Sequence, residues 1–372
     1  MGVRAAAVAA ALALAAPALA SPPSVEGRAY LVQNSATGDV LVKYHSREKV
    51  PIASITKLMT VLVALEHARL DDVVTVGSEA AGTGESTINL STGERLTVAE
   101  LVEAALIQSA NDAAVALAEH VGGGSVPRFV TMMNAKAREL GLTDTHFANP
   151  DGLDQSGHYS SARDVTTLAE AAMRVPFIRR TVRRTDADIS GGRHLHTWND
   201  LLSTFPHLLG VKTGHTTGAG WSEVAAAAGR GVTIYATLLG EPSRSQRNDD
   251  LASLLAWGLS RYRVVAAVRT GRTYAKAALP YGRDPVELVA ARPMLRVVRI
   301  DRTLVERVTA PAAVSLPVTK GQPLGVVEIF AGGNLIARAP LVASRSVPRP
   351  GFVARVGWYL GRAAHNMWKW IA

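Results

Sequence analysis

The chain has 372 residues, 48% of them hydrophobic, which is enough material for two packed domains. It holds no cysteine, so disulfides, thiolate nucleophiles and cysteine-ligated metals are excluded. A net charge of +9 favours anionic surfaces, yet only eight of the 40 basic residues are lysine.

Residues 1–20, MGVRAAAVAAALALAAPALA, carry one early charge, an Ala/Leu run and a small-x-small end at Ala18-Leu19-Ala20. That is the pattern of a signal peptide cleaved after Ala20, and it predicts an exported protein. An exported basic chain meets a negatively charged envelope or membrane face rather than nucleic acid. Residues 28–50 predict a hairpin turning at Thr37-Gly38-Asp39, followed by an apolar helix over 54–68. The apolar spacing of 93–121 predicts two helices meeting near Ser109, and 125–142 a further helix closed by Gly141. Residues 143–163 have loop chemistry, and a helix starts at 164. Strands return in RHLHTWN, WSEVAAAA and GVTIYATLLG, before a last helix over 247–262. Strands at both ends with helices between them predict one α/β domain whose sheet is built from both chain ends. We place it at 21–270. Short β-rich runs punctuated by Pro and Gly predict a small all-β domain over 275–345.

The tail 349–372 has the spacing of an amphipathic helix. Phe352, Val353, Val356, Tyr359, Leu360, Ala363, Met367, Trp370 and Ile371 share one face, with Arg355, Arg362, His365 and Lys369 to its side. Trp and apolar bulk flanked by cations is the pattern of a helix lying in a membrane interface. The competing reading is a helix packed on its own globule.

Three short motifs carry the chemistry. Ser54-Ile55-Thr56-Lys57 opens the apolar helix, and three-residue spacing brings the hydroxyl and the amine to one face. A serine needs a base to take its proton, and lysine can serve where arginine cannot. Alone, this pattern also fits an N-cap serine with a surface lysine. Ser109-Ala110-Asn111 lies at the helix junction, where Ser and Asn often only cap. Lys212-Thr213-Gly214 is expected at the start of a strand, with Gly214 allowing close approach of a ligand.

In this order, S-x-x-K, S-x-N and K-T-G resemble the signature of the penicillin-recognising serine enzymes. PIASITKLMT, SANDAAVALAEHV, FANPDGLDQSGHYSSARD, GVKTGHTTGAGW and LLAWG make 28–262 similar to the low-molecular-mass penicillin-binding proteins that are serine-type D-alanyl-D-alanine carboxypeptidases. The resemblance implies a β-lactamase/transpeptidase-like catalytic domain, an antiparallel sheet with a helical subdomain, followed by the family's small β domain and membrane anchor. It implies that Ser54 is the acylated nucleophile, Lys57 its general base and Ser109 the relay of a proton to the leaving D-alanine. Asn111 would hold the substrate amide, and Lys212 and Thr213 its terminal carboxylate, with Gly214 beside them. The backbone N–H groups of Ser54 and His215 would form the oxyanion hole. Arg247 matches a family arginine that helps bind the carboxylate, with Arg244 as its rival.

The reaction so implied removes the terminal D-alanine from peptidoglycan stem peptides, with β-lactams as inhibitors. It needs no cofactor and no metal. The setting would be the periplasm, at the outer face of the cytoplasmic membrane. An endopeptidase acting on cross-links is an alternative on the same fold. A β-lactamase would need an E-x-x-L-N carboxylate that the 143–163 loop lacks, and a non-catalytic scaffold would not require intact motifs. His194 and His196 read as edge-strand histidines. Asp71-Asp72 and Asp249-Asp250 suit turns and helix starts, and Arg179, Arg180, Arg183 and Arg184 suit a solvated face. Asp151 stands where many relatives carry another residue.

Overall fold

A computed structural model describes residues 5–10 and 21–371. The expected cleavage point Ala18-Leu19-Ala20 lies outside the described residues. The chain divides into two compact units, one spanning Ala20–Ser260 and the other Arg261–Ala372 together with Met1–Leu19.

In the first unit the hairpin forms from β1 (Ala29–Asn34) and β2 (Val40–Tyr44). Asn34 Oδ1 accepts the N–H of Ala36 at 2.8 Å, and Gly38 takes the left-handed backbone that closes the turn. Among shorter helical turns, four longer helices follow: α1 (Lys57–His67), α2 (Asn111–Val121), α3 (Val126–Glu139) and α4 (Ala162–Arg174). Then come β3 (Leu208–Thr216), β4 (Gly220–Gly229), β5 (Val232–Glu241) and α5 (Arg244–Ser260). The strands form one antiparallel sheet in the order β2-β1-β5-β4-β3. The first and last strands of the unit are therefore neighbours, as the strand pattern at its two ends predicts.

Both faces of this sheet are covered. Gly258 of α5 packs against Ile234 and Val32, while Thr166 of α4 meets the hydroxyl of Thr237 at 2.7 Å. Ile234 and Thr237 differ in parity along β5, so the two helices lie on opposite faces. This is why Val224–Ala227 are all buried and why β4 reads as an unbroken apolar run. Helix α1 is buried from Lys57 to Ala64 and packs on α2, α3 and α4, which explains its nearly continuous apolar sequence.

The second unit contains β6 (Tyr262–Val268), β7 (Thr273–Ala277), β8 (Val286–Ala290), β9 (Met294–Arg299), β10 (Leu304–Pro311), β11 (Pro323–Ala331) and β12 (Asn334–Ala343). A sheet runs β10-β11-β12-β8-β7, with Ala5–Ala10 antiparallel along β10, while β6 pairs with β9. Its core is aliphatic, with Val286, Leu288, Val327 and Leu341 fully enclosed. The break at Ser260 precedes the expected 270, and α5 stops two residues short of 262. The cause is tertiary: Tyr262 pairs with Arg299 and continues into a strand of the second unit.

Helix α6 (Phe352–Ile371) ends the described chain. Trp358 meets Tyr281 of the same unit edge-on at 5.5 Å, while Phe352, Val353, Val356, Tyr359 and Leu360 are exposed. Among the described residues, no helix is long and apolar enough to cross a membrane.

Candidate active site

Ser54 lies in a single 3-10 turn, Ala53–Thr56, that leads into α1. Ala53 adopts a left-handed backbone (φ 49°), a strained conformation for a residue with a side chain. The turn is held from behind by His158. Its Nδ1 accepts the N–H of Ala148 at 3.1 Å, so the proton is on Nε2, which donates to Thr56 Oγ1 at 2.7 Å. Burial, with a smaller push from His146, holds this imidazole down at about 4.

Lys57 is fully buried, and its Nζ lies 2.7 Å from Ser54 Oγ, 2.6 Å from Asn111 Oδ1 and 2.7 Å from the Asp151 carbonyl. Asn111 Nδ2 donates to Gly84 O, which fixes Oδ1 as the atom facing the lysine. Asn111 Oδ1 and Asp151 O can only accept. A neutral amine therefore spends its two N–H bonds on them and points its lone pair at Ser54, the one neighbour with a proton to give. Burial pulls this amine down to about 8, against the opposing pull of Asp151, Asp112 and Glu85.

Ser109 follows a π-helical segment, Ala104–Gln108, and is itself left-handed (φ 63°), so the chain turns sharply before α2 begins at Asn111. This kink delivers Ser109 Oγ to Lys212 Nζ at 2.8 Å, and the same amine donates to Thr213 O at 2.8 Å. Lys212 is buried. Loss of water, then the nearby Lys57 and Arg247 cations, push its pKa well below the usual lysine range. Lys212–Gly214 lies in the second half of β3, not at the start of a strand as expected. The preceding residues pair with β4 as far back as Leu208. The absence of a side chain on Gly214 lets β3 lie against the Ser54 turn. A Cβ there would sit 2.8 Å from Ile52 O and 3.1 Å from Ser54 N.

Ser54, Ser109, Thr213, Gly214, His215 and Arg247 line one cavity of about 240 Å³, together with Glu85, Ser86, Trp198 and Trp221. Lys57, Asn111 and Lys212 are buried beneath them. All nine residues singled out in the sequence thus converge. Two roomier hollows, beside Tyr30 and Tyr44 and beside Gly152 and His158, bring no such set together.

Arg247 is enclosed, with Nε 3.2 Å from Glu223 Oε2 and Nη2 donating to Asn248 Oδ1 at 2.6 Å. Burial raises the Glu223 carboxyl to about 7 against the pull of Arg247. Its rival Arg244 is engaged by Asp200 through two bonds of 2.8 and 2.5 Å. No motif in the sequence marks Asp151, Glu223, Trp198 or Trp221 as part of the site. Asp151 contributes only its carbonyl, which no side-chain pattern reports, and the other three are joined to the site by tertiary contacts alone.

The family model for D-alanyl-D-alanine carboxypeptidase matches residues 16–243, and that for the C-terminal domain of penicillin-binding protein 5 matches residues 263–349. The chain belongs to the D-alanyl-D-alanine carboxypeptidase family. D-alanyl-D-alanine carboxypeptidase DacC of Escherichia coli (strain K12) is 31% identical, over 93% of this chain and 90% of that protein. Its namesake DacF of Bacillus subtilis (strain 168) is 30% identical, over 88% and 87%. Penicillin binding protein 5 from Haemophilus influenzae shares the fold at a TM-score of 0.65 and 28% identity, covering 89% of this chain and all of that one. The Streptomyces K15 DD-transpeptidase matches at 0.62 and 30% identity, covering 65% of this chain and 100% of its own. This carboxypeptidase is accordingly a serine peptidase with the penicillin-binding protein fold and a β-rich second domain.

Proposed function

We propose that Ser54 of this D-alanyl-D-alanine carboxypeptidase is the nucleophile, activated by Lys57. The observation that carries the assignment is the Lys57 amine, held between two obligate acceptors with its remaining position 2.7 Å from Ser54 Oγ. Ser54 Oγ bonds to the carbonyl carbon of the penultimate D-alanine as Lys57 takes its proton. The backbone N–H groups of Ser54 and His215 stabilise the oxyanion. Collapse of the tetrahedral intermediate breaks the amide bond, and the amine of the terminal D-alanine leaves with a proton passed through Ser109, backed by Lys212. Water then attacks the acyl-serine, releasing the shortened stem peptide and restoring Ser54. Thr213 and Arg247 receive the terminal carboxylate, and Asn111 the substrate amide. A β-lactam ring presents its own strained amide to Ser54 and stays attached after opening.

The exposed apolar face of α6, with Arg355 and Lys369 in its sequence, supports attachment to the outer surface of the cytoplasmic membrane after export. Intact mass during incubation with benzylpenicillin tests the nucleophile. One added penicillin on the mature chain, absent from Ser54→Ala, is expected. An unshifted mass, or an equal shift in the variant, contradicts the assignment.

A further inference from the structure

Two tryptophans line the cavity, and each lies beneath an arginine from the first turn of α5. The guanidinium carbon of Arg247 is 5.8 Å from the ring centre of Trp221, and that of Arg244 is 5.3 Å from Trp198. Trp198 is 47% exposed, so its ring is not there to fill the core. It is nevertheless fixed. Its Nε1 donates to Gln108 O at 3.0 Å, and the arginine over its ring is clamped by Asp200, which also accepts from Asn248 Nδ2 at 2.8 Å. The Gln108 carbonyl takes a second bond, 3.1 Å, from Ser86 Oγ on the cavity rim. An indole held rigid yet open to the cavity is a recognition surface.

Its place identifies what it recognises. The anchor of the indole is the residue before Ser109, and Arg247 lies one helical turn beyond Arg244. Trp198 therefore borders the end of the cavity that holds the proton relay and the carboxylate partners, where the released residue sits. We propose that Trp198, braced by Arg244 and Asp200, is a specificity-determining wall that limits the released residue to a side chain as small as that of D-alanine. A larger leaving residue must push the ring off Arg244 and break its bond to Gln108. The same wall disfavours cross-linked peptides, whose leaving group is a longer chain, and so separates carboxypeptidase from endopeptidase action. The inference rests on the placement of Ser54, Ser109 and Arg247 proposed above.

The test compares diacetyl-L-lysyl-D-alanyl-D-alanine with the same peptide ending in D-leucine, using full-length enzyme whose active sites are titrated by benzylpenicillin mass shift. Trp198→Ala is expected to lower the D-alanine over D-leucine ratio of kcat/KM by about tenfold or more, chiefly by gain on the D-leucine peptide. Trp198→Phe should keep most of the preference, with Arg244→Ala in between. A parallel fall on both peptides, a ratio unchanged within about twofold, or a wild type that releases both residues equally would overturn the proposal. Should Trp198→Ala not fold, Arg244→Ala decides by the same ratio. If benzylpenicillin fails to acylate the wild type, the site placement itself falls; acylation with an unmoved ratio removes this inference alone.

Discussion

Lysine at 57 and 212 gives this site amines that can lose a proton while buried, which an arginine cannot do. With Lys57 in its proposed role as base, and burial bringing its amine down to about 8, acylation by benzylpenicillin should speed up with rising pH and level off above about 8. Stopped-flow or quenched mass measurements from pH 6 to 9.5 check this; a flat profile would refute a titrating base. Lys57→Arg should abolish acylation while leaving the fold. His158 makes a separate prediction about stability. Its folded pKa of about 4 lies below the ordinary 6.5, so the unfolded chain binds the proton more readily. Stability from this group is complete above pH 6.5 and is lost as pH falls toward 4, by about 3 kcal/mol. Denaturant unfolding should show that extra loss in the wild type relative to His158→Gln. The motif serines and lysines were legible because short-range spacing encodes them. Asp151 was not, since any residue could supply its carbonyl.

At the scale of elements, the site depends on three backbone departures: the strained Ala53, the left-handed Ser109 after a π segment, and the bare Gly214 edge. Gly214→Ala is expected to force β3 away from the Ser54 turn by a few tenths of an ångström or more. Acylation should fall by about tenfold or more, since a full ångström of misplacement costs about a hundredfold, while thermal melting changes little. A variant that acylates at the wild-type rate would show that the contact is not needed. The sequence indicated a helix junction at Ser109, but not the π segment that aims it. That geometry is set by neighbours distant in sequence, including the bond from Asn111 N to Ser86 O. The same limit applies to K-T-G, whose position late in β3 follows from pairing with β4.

Across the whole molecule, the cavity that gathers the motif residues lies in the first unit and the amphipathic α6 in the second. Deleting 349–372 should leave D-alanine release unchanged and abolish sedimentation with anionic lipid vesicles; sedimentation that persists would remove the anchor role of α6. The sequence alone determined the family, the order of the motifs, the two-domain plan and the amphipathic tail, because each is written in local spacing and hydrophobic period. Only tertiary structure decided that the first unit ends at Ser260, that Arg247 is paired with Glu223, and that Trp198 is braced over the cavity. Those facts depend on which distant segments become neighbours when both faces of the sheet are buried, and no local pattern records that.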